Sequence, residues 1–394
     1  MNILLAILLA FSAQEESDSS TLRGMLDLVN QGAAPDLQAR LETKALSIRD
    51  AELRAKARQA IDEMLIAAAI HPKVGALVKE LSAAGAKTTL EPGGPAWLRE
   101  AAGAAAMAPF ERLVGLSLYM NVNAHAKDYK LNSRFGDAWL ERLTGLPHLR
   151  TLDLENTDVR GAGLAFVGSL RTLESLNLTL CPVTDEPLSA LGELTRIKVL
   201  GLASTRVTGV GFRSLQNLKT LENLNLHNTP VNDAGLEWIG KRSSLVRLEI
   251  VHTQFTDAGA GSLAGLVNLE RLQLGSRKAT GASLAVLPSC PKLREVDVHD
   301  GLLSLEGFRH IAAIKTLKVL RGYGGNGGDK GLQALTGHPE LESLLLEGVG
   351  ITEEGLAVLS TLPRLRKLSL REPKVSEEAL RQLQEKLPTL EIRR

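Results

Sequence analysis

Apolar residues return along this chain in a fixed phrase, L-x-x-L-x-L. It reads LRTLDL from Leu149, LESLNL from Leu173, IKVLGL from Ile197, LENLNL from Leu221 and LVRLEI from Leu245. It continues as LERLQL from Leu269, LREVDV from Leu293, LKVLRG from Leu317, LESLLL from Leu341 and LRKLSL from Leu365, always 24 residues on. Nine equal intervals lie beyond chance, and a period in the twenties denotes stacked units. Within a unit, the first half places apolar residues two apart, the period of a strand. The second half places them three apart, the period of a helical turn, as in Val231, Gly235-Leu236 and Ile239. A small polar residue and an acid precede that turn: Thr184-Asp185, Thr256-Asp257, Thr352-Glu353 and Ser376-Glu377. Their chemistry suits helix capping and the positive end of the dipole. Each unit is thus a strand, a turn and a short helix or 3₁₀ segment. One unit cannot bury its own leucines, but a stack buries them in one core. The strands then form a parallel sheet spaced by roughly 4.8 Å. Helices on the other side need more room, so the stack curves with the sheet inside.

The leucine frame is joined to a T-x-V-T-D-x-G-L tail, seen as CPVTDEPL from Cys181 and TRVTGVGF from Thr205. This combination resembles the leucine-rich repeat family, in particular the Thr- or Cys-bearing repeats of bacterial proteins and of the ribonuclease-inhibitor and F-box-associated subclass. The resemblance covers about 113–392. It implies an α/β fold: a right-handed solenoid with a curved parallel sheet inside and short helices outside. In that family the ninth position bonds the backbone of adjacent coils. Here it is Thr157, Cys181, Thr205, Thr229 and Thr253, then Arg277, Gly301, Gly325, Val349 and Pro373, so the ladder is expected to fail in the later coils. The resemblance also implies a protein partner and is otherwise silent on function.

Outside the repeats, residues 1–13 carry an apolar run from Ile3 to Phe11, followed by polar QEESDSS. This resembles a secretory signal and predicts export to the periplasm or exterior; the other reading is a frayed apolar start. The run is too short to span a bilayer. Residues 19–110 read as a helical N-terminal cap, with 111–394 as the solenoid. Ser20 is expected to open a first helix, Asp50 to restart a second, and Pro72 to open a third. KTTLE and AWLRE read as extended pieces around Pro92-Gly93-Gly94-Pro95. An earlier phrase, LVGLSL from Leu113, lies 36 residues before Leu149, which puts an insertion near 119–130.

Charge narrows the choice of partner. The 46 basic and 45 acidic residues nearly cancel, no block of like charge occurs, and aromatics are 3%, all of which argue against nucleic acid. Cys181 and Cys290 fall more than four coils apart, too far for a disulfide.

Residues between the inward leucines line the sheet face. The coil at Ile197 presents Val199, Gly201 and Ala203, a shallow dip. The following coils present a dense polar zone: Asn225, His227, Arg247, Glu249, Arg271, Glu295, Asp297, His299, Arg321 and Tyr323. Arg, Tyr and His anchor many recognition surfaces. The competing reading is lateral ion pairs, Arg271 with Glu295 and Asp297 with Arg321, that merely solvate an exposed sheet. Asp297, His299 and Asp300 lack a third good ligand, so no metal is expected. Gly322 to Gly327 satisfy G-x-G-x-x-G, but the 24-residue frame runs through them, so no dinucleotide or other cofactor is expected. No nucleophile has a matching base and acid. The sequence therefore predicts non-enzymatic recognition of a protein by the concave face, with glycan or cell-envelope binding as the alternative.

Overall fold

The structure, a computed structural model, describes residues 2–119, 131–371 and 374–393. It divides into two compact units, Met1–Met120 with Gly145–Thr151, and Asn121–Thr144 with Leu152–Arg394.

The first unit holds helices α1 (Asn2–Asn30), α2 (Leu37–Leu46), α3 (Ala51–Gln59) and α4 (Ile61–Ala83). Leu22, Met25, Leu26, Leu41, Met64 and Leu98 share its buried core. Three sequence expectations are corrected here. Helix α1 runs through Ser20, which caps nothing. The turn is set instead by buried Asp18, whose carboxylate accepts the Arg49 and Asp50 amides at 2.9 and 3.0 Å. Pro72 lies inside α4 rather than opening a helix; a proline removes one backbone donor, and the buried residues on either side, Ala68 and Val74, keep the helix in place. AWLRE forms a helix, α5 (Ala96–Ala102), because Leu98 and Ala102 are buried four apart, the helical and not the extended period. Asp50 does restart a helix, accepting the Leu53 amide at 2.7 Å. KTTLE is strand β1 (Lys87–Glu91), and it pairs antiparallel with β2 (Arg112–Ser117), which carries the phrase at Leu113. Nearly all of the expected insertion at 119–130 lies outside the described residues.

The second unit carries the repeats. Its strands are β3 (Thr151–Asp153), β4 (Ser175–Asn177), β5 (Val199–Gly201), β6 (Asn223–Asn225), β7 (Arg247–Thr253), β8 (Arg271–Ser276), β9 (Glu295–Val298), β10 (Val319–Tyr323), β11 (Ser343–Glu347), β12 (Lys367–Arg371) and β13 (Glu391–Arg393). From β4 onward each pairs in parallel with the next, and the partner of each residue lies one period on, as Leu200 with Leu224, except past a register shift near the end of β7. The second residue of each strand from β3 to β12, leucine from Leu152 to Leu368 except for Val296 on β9, is therefore stacked on its copies and almost fully buried. Side chains on either side of it emerge on the opposite face.

The acids before the helical turn have a further role that the sequence does not reveal. They tie one coil to the next rather than capping their own. Asp233 accepts the Thr256 amide and hydroxyl, both at 2.7 Å. Asp257 holds Thr280 in the same way at 2.8 Å, and Asp329 holds Thr352 at 2.8 and 2.6 Å. Asp185 takes the Thr208 amide and hydroxyl and also the Gly209 and Gly211 amides. Capping falls to Asn232, Thr280, Ser304, Thr352 and Ser376, each accepting an amide two or three residues on. Such charge-assisted bonds are stronger than neutral ones. Asp233→Asn keeps one acceptor and loses the other with the charge. It is expected to cost about 1–2 kcal/mol in a denaturant titration, and the loss should shrink in a Thr256→Val background; equal losses in both backgrounds would remove the inter-coil role.

The ninth-position ladder is also narrower than expected. Thr157, Thr205 and Thr229 bond carbonyls of their own coil. Cys181 reaches the Leu154 carbonyl of the preceding coil and Thr253 reaches Gly275 of the next. Both cysteines are free and buried.

Candidate functional site

The open face of the sheet brings the predicted zone together on β6 to β10. Asn225 on β6 folds its side-chain oxygen back onto the His227 amide, at 2.9 Å. Arg247 and Glu249 stand on β7, Arg271 on β8, Glu295 and Asp297 on β9, and Arg321 and Tyr323 on β10. The lateral ion pairs form: Arg271 with Glu295 at 3.0 Å and Arg321 with Asp297 at 2.9 Å. Asp297 is only 7% exposed, so its pairing with Arg321 offsets the desolvation of a nearly buried charge. These pairs consume two of the three arginines. No bond or ion pair engages the Arg247 guanidinium or the Glu249 carboxylate among the described residues. Burial, and then the neighbouring Asp297 charge, push the Glu249 carboxyl above its ordinary range.

Two of the hollows on this face are lined by both Arg247 and Glu249. The larger, about 590 Å³, lies over Val199, Gly201 and Ala203, with Asn177 and Asn225 at its sides. It sits where small residues leave the sheet bare. The smaller, about 190 Å³, lies among Arg271, Gln273, Glu295, Asp297 and Arg321.

One element of the face escaped the columns of the repeat. Strict alternation along β7 would put Val251 on the open face with Arg247 and Glu249, but Val251 is buried. The β7–β8 register shifts between Ile250 and Thr253, and the shift turns Val251 inward. His252 takes the outward place, with left-handed φ of 56°. Its ring meets His227 at 5.1 Å and His299 at 6.2 Å, edge to face, and His299 stacks on Tyr323 at 4.4 Å. Asp300 fixes this row by reaching two coils back, bonding His252 Nδ1 at 2.7 Å and the His252 amide at 3.1 Å. It crosses the coil of Gly275, where a Cβ would meet Asp300 Oδ2 at 2.6 Å, so a glycine is required there. The left-handed φ recurs every 24 residues at Asn156, Leu180, Ser204, Asn228 and His252, and again two periods on at Asp300, so His252 follows the turn of its copies rather than the alternation of a strand. Burial is the leading cause that lowers the pKa values of His227 and His299.

Among the described residues, no three His, Cys, Asp or Glu side chains are grouped to hold a metal. The glycines of the G-x-G-x-x-G segment serve packing. A Cβ on Gly322 would meet Leu303 at 2.4 Å, and one on Gly327 would meet the Phe308 ring at 2.5 Å.

A family model described as leucine-rich repeat matches residues 145–168 and 169–192, two successive periods. These are leucine-rich repeats. Solved leucine-rich repeat proteins resemble the chain at low identity. An internalin from Listeria monocytogenes is 16% identical, with 71% of this chain and 86% of that one covered, at a TM-score of 0.45. A leucine-rich repeat protein from Leptospira interrogans is 17% identical, with 67% and 82% covered, at a TM-score of 0.43. No curated protein matches by sequence. No helix among the described residues of this leucine-rich repeat chain is long and apolar enough to cross a membrane.

Proposed function

We propose that this chain is a non-enzymatic, exported recognition protein that binds a protein partner on the open face of its repeat sheet. The observation that carries the reading is the continuity of that face. Outward side chains of β6 to β10 form a mostly polar field beside the apolar dip on β5, and Arg247 and Glu249 line the hollows there without partners among the described residues. Inter-coil bonds from Asp185, Asp233, Asp257 and Asp329 hold successive coils in register, so little order is lost on docking. Export rests on the apolar run from Ile3 to Phe11 and the polar segment after it. The glycan alternative gains nothing from ring geometry: Tyr323 and His299 cover each other's faces, and sugars stack on open ones.

Affinity capture from the periplasmic or extracellular fraction tests the proposal. Wild type should enrich a defined protein that an Arg247/Arg271/Arg321 triple-alanine variant recovers at a tenth of the yield or less, about the loss expected on removing a buried anchor. Equal recovery by both would overturn the sheet-face reading.

A further inference from the structure

Within the larger hollow, the chemistry of the lining selects a partner group, an inference that rests on the sheet-face reading above. The floor is small and apolar: Val199 is 38% exposed, an unusual state for a valine in this sheet, and Gly201 and Ala203 add no bulk beside it. A Cβ on Gly201 would lie 2.6 Å from Asn177 Oδ1, so the floor cannot be raised without displacing the wall. Two carboxylates stand at opposite sides, Glu155 and Glu249, against one cation, Arg247. Glu155 is occupied by Asn177 Nδ2 at 3.0 Å, whereas Glu249 is half-buried and engages no donor. A carboxylate in that position has lost water without gaining a partner, which costs free energy until a donor arrives.

We propose that this hollow receives a lysine or arginine side chain of the protein partner, its alkyl stem lying on Val199 and Ala203 and its cationic head on Glu249. Long cationic side chains suit such a site because the stem covers apolar surface while the head finds charge. The hollow, about 590 Å³, exceeds one side chain and leaves room for the partner main chain that carries it. An acidic partner side chain is disfavoured, since it would meet Arg247 only at the exposed margin and would face Glu249 within. Arg247 is the internal competitor for Glu249: it stands two residues away on the same strand and face, unpaired.

The test is a backbone-amide NMR titration of the full chain at pH 7.5 with N-acetyl-arginine amide and N-acetyl-lysine amide, using N-acetyl-norleucine amide as the uncharged control. The cationic probes should shift the Gly201, Ala203 and Asn225 amides saturably. Glu249→Gln should weaken that binding at least tenfold, and Glu347→Gln, outside the hollow, should not alter it. Should Glu249→Gln fail to give a native spectrum, wild type titrated from pH 7.5 downward serves instead: binding must fall as Glu249 takes up its proton. Equal shifts from the norleucine probe, wild-type affinity in Glu249→Gln, or pH-independent binding would overturn the proposal. Failure of the probe titration with a partner still lost by the triple-arginine variant refutes this inference alone. Probe binding without any partner that depends on the face refutes the function instead.

Discussion

Gly235→Val should destabilise the repeat unit by about 3 kcal/mol or more, at the upper end of what overpacking costs. Gly235 belongs to a column at the start of the helical turns, with Gly163, Gly211, Gly259, Gly307, Gly331 and Gly355 at whole multiples of the 24-residue period from it. None of these seven has the positive φ that favours glycine, so the requirement is space. A Cβ on Gly235 would stand 2.1 Å from the Thr208 carbonyl oxygen and 3.0 Å from the Gly209 Cα, both backbone atoms of the preceding coil. Backbone cannot swing aside as a side chain does, so the coils must separate. Gly259 presses in the same way on Asp233 Oδ1, at 2.1 Å, the oxygen that holds the Thr256 amide. Close approach and the inter-coil tie are therefore one arrangement. Pro187 and Ser283 stand in the same column, so the restriction is local to coils whose predecessor crowds the site. In a stacked array each coil touches only its neighbours, so hydrogen exchange in Gly235→Val should accelerate first between about 200 and 260. A denaturant midpoint equivalent to less than 0.5 kcal/mol from wild type, or uniform acceleration along the chain, would defeat the argument.

The repeat frame was legible because burial of stacked leucines repeats with the sequence. Strands β3 to β12 all begin two residues after the first residue of each phrase, from Thr151 to Lys367. The dip at Val199, Gly201 and Ala203 and the pairs Arg271–Glu295 and Arg321–Asp297 follow from that frame alone. What escaped depends on lateral reach. The Asp-to-Thr ties join residues 23 apart, a spacing visible as Asp185/Thr208, Asp233/Thr256, Asp257/Thr280 and Asp329/Thr352 once the partner coil is considered. His252 escaped because one register shift reverses the facing of Val251, and period-two reading assumes an unbroken strand. Asp300 reaching across Gly275 needs a missing side chain on an intervening coil, which no single-coil pattern encodes. In the N-terminal unit there is no repeat to average over, and local signals at Ser20 and Pro72 lost to the packing of Leu22, Met25 and Met64.

Position 338 converts the same stacking into a pH dependence. One column of the core reads Leu146, Leu170, Leu194, Leu218, Arg242, Leu266, Cys290, Ile314, His338 and Leu362. Arg242 donates from its two Nη atoms to the Phe212 and Leu215 carbonyls, at 2.6 and 3.1 Å. His338 is 2% exposed, bonds the Ile314 carbonyl through Nε2 at 3.0 Å, and leaves Nδ1 without a partner. Burial is the leading cause of its lowered pKa; the Ile314 bond acts the other way and does not overcome it. The folded chain therefore keeps His338 neutral at a pH where the unfolded chain, with a histidine pKa near 6.5, takes up a proton. The unfolded state then binds more protons, so the contribution of His338 to stability is whole above about pH 7 and declines as pH falls toward its folded pKa. His338→Leu restores the residue found at six other coils of the column. It leaves no acceptor stranded, because the Ile314 carbonyl already accepts the Leu317 amide at 3.0 Å. The variant should gain about 1–3 kcal/mol at pH 7.5 from removing an unpaired buried nitrogen, and the gain should widen at pH 5. Because His148, His227 and His299 are also held low by burial, wild type and variant will both weaken in acid. The decisive quantity is the difference between their denaturant midpoints across pH 5 to 8. A difference that stays flat, or narrows toward acid, would mean that His338 titrates as freely in the folded chain as in the unfolded one.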